Sequence, residues 1–186
     1  RVVSIVGAGG KTSTMYDLAE ELAAKGARIL ITTSTHIAKP EQYRTEVIPK
    51  LADLDAVSYA GALRNPGDFI LAAGKQAENP DNAWKLAMPE DLGEERVMKR
   101  LLSQFDVILI EADGAKRLPL KVPSETEPVL IPQTGLIIAC VGLTAGGKQF
   151  GDCCFRFASH GSWLHKEAQD AIGAEDMTLL LMDERG

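Results

Sequence analysis

Two short stretches carry residue types suited to phosphate chemistry: GAGGKTS at 7–13 and IEADGAKRLPLK at 110–121. In the first, Gly7, Ala8, Gly9 and Gly10 leave room for consecutive backbone N–H groups to converge on an anion. Lys11 adds a charge long enough to reach outer phosphates, Thr12 offers a hydroxyl to Mg²⁺, and Ser13 opens the helix beside it. In the second, Glu111 and Asp113 are two apart and point the same way if the strand persists. One would bind the metal and the other polarise a water, and the spacing alone does not assign the roles. Lys116, Arg117 and Lys121 follow closely, as cations that either clamp phosphates or an acidic substrate or stand solvated in a loop.

The letters AGGK at 8–11 return at 145–148, so context must choose between the two segments. The first follows the apolar run VVSIVG (2–7) and opens the helical pattern of Met15, Leu18, Ala19, Leu22 and Ala23. That order of strand, glycine loop and helix is what a phosphate site requires. The second also follows an apolar run, but Gln149 and Phe150 replace the hydroxyl pair and GDCCF continues without helical periodicity. We therefore expect the first segment to hold a nucleotide, ATP or GTP with Mg²⁺, and the second to be a turn. The first departs from the common GxxxxGK[ST] spacing, because Ile5 stands where the leading glycine would be. The shortened GAGGKT resembles the GTxGKT loop of Mur-type ligases.

These stretches need a sheet to position them. ARILITT (27–33), FILAAG (69–74), DVILIEAD (106–113) and GLIIACVG (135–142) read as further strands, and 89–105 as a helix with acidic residues at its start and basic ones near its end. Strands apolar throughout and separated by helices mean a parallel sheet covered on both faces. The expectation is a three-layer αβα P-loop NTPase-like domain with a mostly parallel sheet, one nucleotide-binding domain over 1–186 that lacks its C-terminal end. Ligands would sit at the carboxyl ends of the strands carrying Gly7, Thr32 and Glu111. The middle, from Pro40 to Pro89, is less regular, with turns marked by NPGD at 65–68 and ENPDN at 78–82.

A net charge of −6 argues against nucleic-acid binding, which needs a broadly basic face. The composition, 45% hydrophobic and 25% charged, is that of a globular protein, and no apolar run is long enough to span a membrane. Three cysteines without a disulfide pattern fit a reducing, cytoplasmic setting. TTSTH at 32–36 offers Thr33 as a further metal ligand, although threonine is also a good strand residue. Cys153 and Cys154 invite a sulfur or selenium transfer reading beside the plainer one of small buried hydrophobes. A zinc site from these two with His160 and His165 lacks the usual spacing. His36, His160 and His165 taken singly read as surface or hydrogen-bonded residues. Glu125 and Glu127 lie between Pro123 and Pro128 without an assigned role.

VGAGGKTS, ITTSTH and LIEADGAKRLPLKVPSETEP, in that order, resemble the YqeC family, described as accessory proteins of selenium-dependent molybdenum hydroxylases. The resemblance implies a P-loop nucleotide-binding protein in molybdoenzyme or selenium-cofactor maturation, with a molybdoenzyme or its cofactor as partner. It implies that Gly7, Gly9, Gly10, Lys11 and Thr12 form the nucleotide loop and that Glu111, Asp113 and Lys116 form the acidic segment. Where family members carry an HR pair this chain has Phe155 and Arg156, so only the arginine carries over. Three activities stay open: NTPase; ligase or kinase holding an anionic acceptor with Lys116, Lys121 and Arg156; and nucleotide-gated chaperone or transfer factor.

Overall fold

Strands that are apolar at every position must bury both faces, and the central sheet does so in its middle. The computed structural model describes residues 1–54, 68–75 and 85–183. In chain order its elements begin with β1 (Val2–Gly7), α1 (Lys11–Ala24), β2 (Ile29–Thr33), β3 (His36–Ala38), β4 (Thr45–Val47), β5 (Ile70–Ala73) and β6 (Lys85–Ala87). They continue with α2 (Glu95–Gln104), β7 (Val107–Glu111), β8 (Leu120–Lys121) and β9 (Leu136–Cys140). The chain ends in α3 (Phe150–Cys153), β10 (Cys154–Phe155), α4 (Phe157–His160) and α5 (Ala174–Met182).

Six strands form one sheet in the order β4-β5-β2-β7-β1-β9, and every pairing is parallel. This is a three-layer αβα, P-loop NTPase-like architecture. Side-chain parity shows the layers. Leu30, Ile70, Ile108 and Ile110 pack with Val97, Met98 and Leu101 of α2 on one face. Their neighbours Ile29, Ile31, Leu71 and Leu109 pack with Met15, Tyr16 and Ala19 of α1 on the other. Each fully buried side chain of this kind contributes about 1.5–3 kcal/mol. Because the strands are parallel, Gly7, Thr33, Glu111 and Cys140 all end at one edge of the sheet.

Three details differ from the sequence expectations. The helix expected from 89 begins at Glu95, because Gly93 takes φ +90° and the Asp91 carboxylate accepts the amides of Leu51 (2.6 Å) and Ala52 (2.8 Å). Asp91 caps a neighbouring turn instead of the α2 dipole. Segment 150–153 forms one helical turn, where no helical periodicity is visible in sequence. At the sheet's edge β9 is not covered on both faces, and Leu136 and Ile137 remain about half exposed. The turns expected at 65–68 and 78–82 lie outside the described residues, apart from Asp68. Among the described residues no helix is long and apolar enough to cross a membrane.

Beyond the central sheet, β8 pairs with β10 and brings Phe155 opposite Lys121. Behind this pair a third apolar cluster joins Phe150, Cys153, Cys154 and Phe157 to Met177 and Leu180 of α5. The short antiparallel pair β3 and β6 lies beside the carboxyl edge, with His36 opposite Ala87.

Candidate functional site

The turn after β1 is possible only with glycine at its critical places. Gly9 has φ +68°, and a Cβ there would overlap the backbone of Gly142 and come within 2.7 Å of the Pro119 carbonyl oxygen. Gly10, at φ +106°, stands immediately before the first residue of α1. The first N–H groups of a helix lack intrahelical partners, so this end of α1 presents donors and positive potential to its surroundings. It opens onto a cleft of about 520 Å³ at the carboxyl edge of the sheet, lined on this side by Gly9, Gly10, Lys11, Thr12 and Ser13.

Strand parity brings the second stretch to the same place. Glu111 lies in register with Ile5 and Thr33, on the face that packs against α1. Its carboxylate accepts a hydrogen bond from the Thr12 hydroxyl at 3.1 Å. Burial pushes its pKa up from 4.5 to about 7, against the pull of Lys11 and the Thr12 hydrogen bond. Asp113, just past the strand, turns beneath the loop. Its carboxylate accepts the Gly7 amide at 2.8 Å and pairs with both Lys11 (3.0 Å) and Lys121 (2.8 Å). Lys11 is itself folded back, donating to the Gly7 carbonyl at 2.6 Å.

The two acids, whose roles the spacing left unassigned, thus have different surroundings. Glu111 and Thr12 are hard oxygen donors facing the cleft, a pair suited to Mg²⁺. Asp113 is a buried counter-ion for two lysines. Thr33 is fully buried, and its hydroxyl donates to the Glu111 carbonyl (2.9 Å), so of the expected metal ligands only Thr12 and Glu111 lie together in the cleft. Gly7 and Ala8 support the loop from behind and line a smaller cavity of about 70 Å³ with Asp113 and Lys121.

Lys121, expected to clamp phosphate or substrate, is almost wholly buried. It is spent on Asp113, on Glu127 (3.5 Å) and on the Gly114 carbonyl (3.1 Å). Burial lowers its pKa, with Asp113 opposing. Glu127, left without a role by the sequence, joins this group and also pairs with Arg156 at 3.0 Å. Lys116 and Arg156 do line the cleft, together with Phe155. The sequence signal for Glu127 was its place in a proline-flanked turn that cannot be helical, with the Ser124–Glu127 bridge closing that turn.

Burial also decides the cysteines. It pushes the Cys154 thiol up to about 12 and raises Cys153, whereas a transfer thiolate needs a depressed pKa. Both side chains pack in the third apolar cluster. Among the described residues no group of three or more His, Cys, Asp or Glu side chains converges as a metal site.

Comparison with known proteins assigns the chain to a family. A sequence profile described as YqeC protein matches residues 3–158, which include both stretches and the wall at 155–156. The chain belongs to the YqeC family. It is 38% identical over 186 residues to the uncharacterized protein YqeC of Escherichia coli (strain K12), covering 100% of this chain and 69% of that relative. No solved structure matches the chain. In this YqeC-family chain GAGGKT and EAD meet at the carboxyl edge of the sheet, through the Thr12–Glu111 and Gly7–Asp113 hydrogen bonds.

Proposed function

We propose that the chain binds a Mg²⁺–nucleoside triphosphate, ATP or GTP, on the 7–13 loop and hydrolyses it or transfers its terminal phosphoryl group. The observation that carries this reading is the contact of Thr12 with Glu111 at the open end of α1, beside a lysine held in the same loop. Backbone N–H groups from Gly9 to Ser13 would receive the phosphates. Lys11 would exchange the Gly7 carbonyl for a phosphate oxygen while keeping Asp113 as its counter-ion. Thr12 and Glu111 would hold Mg²⁺, which neutralises charge on the phosphates. A bound Mg²⁺ would favour the carboxylate form of Glu111, against the burial that raises its pKa in the metal-free site.

The accessory role in maturing selenium-dependent molybdenum hydroxylases rests on the family resemblance. A nucleotide-dependent pull-down of such an enzyme tests it, and capture that ignores nucleotide state speaks against a gated chaperone. The nucleotide reading is tested by thermal stability with ATP, GTP and ADP, each with and without Mg²⁺, on wild type, Lys11→Ala and Lys148→Ala. A ligand at about a hundred times its dissociation constant adds about 2.7 kcal/mol. We expect that shift in wild type and Lys148→Ala and its loss in Lys11→Ala. Equal shifts in all three proteins would overturn the reading.

A further inference from the structure

The chain carries a net charge of −6, yet the cleft is lined by five basic side chains (Lys11, Lys85, Lys116, Arg117 and Arg156) and two acidic ones (Glu111 and Glu127). An anionic protein that concentrates cations in one concave site focuses potential there and gathers anions. The loop accounts for Lys11. The part of the lining at 155–156 has a separate construction.

That part is centred on Phe155. The Lys116 ammonium lies 5.1 Å from the centre of its ring and the Arg156 guanidinium 4.8 Å from it. An aromatic face positions a cation without neutralising it, so the Lys116 charge stays available to a ligand. Among the described residues no carboxylate pairs with Lys116, which is exposed. Arg156 gives one nitrogen to Glu127, and its Nη1 has no hydrogen-bond partner among the described residues. The pairing of β10 with β8 fixes Phe155 in register with Lys121, whose own charge is consumed below by Asp113 and Glu127. Lys116 at φ +47° and Arg156 at φ +63° are held in left-handed conformations that such side chains adopt uncommonly, and outliers of this kind collect at ligand sites.

We propose that the cleft holds two anions at once, and that Lys116, Phe155 and Arg156 form a second subsite for the carboxylate or phosphate group of a small co-substrate. The proposal rests on the reading of the 7–13 loop as the triphosphate site, and it places the co-substrate in the same cleft, with Glu111 among the lining residues. Lys116 supplies a point charge that suits either carboxylate or phosphate, and Arg156, paired with Glu127, adds positive charge beside it.

The test loads the protein with a non-hydrolysable triphosphate analogue and Mg²⁺, then titrates inorganic phosphate and, separately, acetate by calorimetry. The two arms distinguish a phosphate-bearing from a carboxylate-bearing co-substrate. Lys116→Asn removes the charge while keeping a residue that tolerates positive φ, and a thermal melt checks that it folds. The expected result is saturable uptake of one of the two anions beside the analogue, weakened about tenfold or more in Lys116→Asn, a change of about 1.4 kcal/mol. Arg156→Lys should weaken it less, since it keeps the charge. One-for-one displacement of the analogue, an unchanged dissociation constant in Lys116→Asn, or a loss of analogue affinity in that variant would overturn the proposal. The last result would mean that the wall holds part of the nucleotide itself. If the analogue fails to bind wild type, the nucleotide reading falls. The subsite then stands only if the nucleotide-free protein binds the anion in a way that depends on Lys116 and not on Lys11.

Discussion

The two AGGK segments are the same four residues in different surroundings, and their fates diverge at the next residue. After Lys11 come Thr12 and Ser13 and a 14-residue helix, while after Lys148 come Gln149 and a single helical turn. Lys11 is 5% exposed and held by Gly7 and Asp113, whereas Lys148 is exposed. The backbone of the second segment is already satisfied: the Gly147 amide donates to the Ile172 carbonyl at 2.9 Å, and the Lys148 carbonyl accepts from Ile172 at 2.8 Å. The two segments therefore differ in what surrounds the same letters: the amides of the second are spent on the chain itself, and among the described residues only the lysine of the first has a buried counter-ion. The segment around Gly142 has another use: it packs against Gly9 and Pro119 and braces the first loop.

The sharpest way to break this contrast is to remove the counter-ion. Asp113→Asn keeps the shape and an acceptor for the Gly7 amide but leaves Lys11 and Lys121 buried with less charge compensation. Loss of one partner from a buried pair costs about 3–5 kcal/mol. Lys148→Ala, on the exposed segment, should stay within about 0.5 kcal/mol of wild type. Urea denaturation of the two variants side by side measures both. A loss below about 1 kcal/mol for Asp113→Asn would mean that solvent reaches these lysines.

Next in size is the proton on Glu111. Its folded pKa of about 7 lies above the ordinary 4.5, so the folded protein holds this proton more tightly than the unfolded chain does. The stabilisation is complete below about pH 4.5 and is lost as pH rises through 7. It amounts to about 3 kcal/mol at 1.36 kcal/mol per pH unit. Glu111→Gln removes the titration. Relative to wild type it should gain stability between about pH 5 and pH 8, and denaturant midpoints at the two pH values decide the matter. A constant difference across that range would show that the carboxylate is hydrated and that the first loop is as wet as the second.

Much of this was legible in the sequence, for local reasons. The order of strands and helices follows from apolar periodicity, and the order of Thr12 and Glu111 along their elements suffices to bring them to one edge once the sheet is parallel. What was not legible depends on contacts between distant residues. Lys116 and Lys121 look alike in a basic loop, but Leu120–Lys121 pairs with Cys154–Phe155 as a strand, which buries the second lysine and leaves the first on the cleft wall. Asp113 looks like a second metal ligand because it stands two residues from Glu111, yet the strand ends at Glu111 and the chain turns under the loop. Asp91 looks like a helix-start acid until the amides of Leu51 and Ala52 arrive from elsewhere. In each case residue type was read correctly and its partner was supplied by the fold.

The smallest predicted effect returns to the two segments and separates conformation from packing. Gly9 and Gly147 both take positive φ, +68° and +75°, so alanine at either place bears the left-handed penalty of about 1–2 kcal/mol. Among the described residues nothing lies within 4 Å of a Cβ added at Gly147, whereas at Gly9 it meets the Gly142 backbone and the Pro119 carbonyl. Main-chain atoms cannot rotate aside as a side chain does, and overpacking of this kind adds about 1–3 kcal/mol. Gly9→Ala should therefore be about 2 kcal/mol less stable than Gly147→Ala, the φ cost cancelling in the comparison. The Gly142 segment braces the first loop if that difference is found in paired thermal melts. Equal losses would mean that the two segments do not pack closely and that the first loop holds its shape through Asp113 and the Cys140 carbonyl alone.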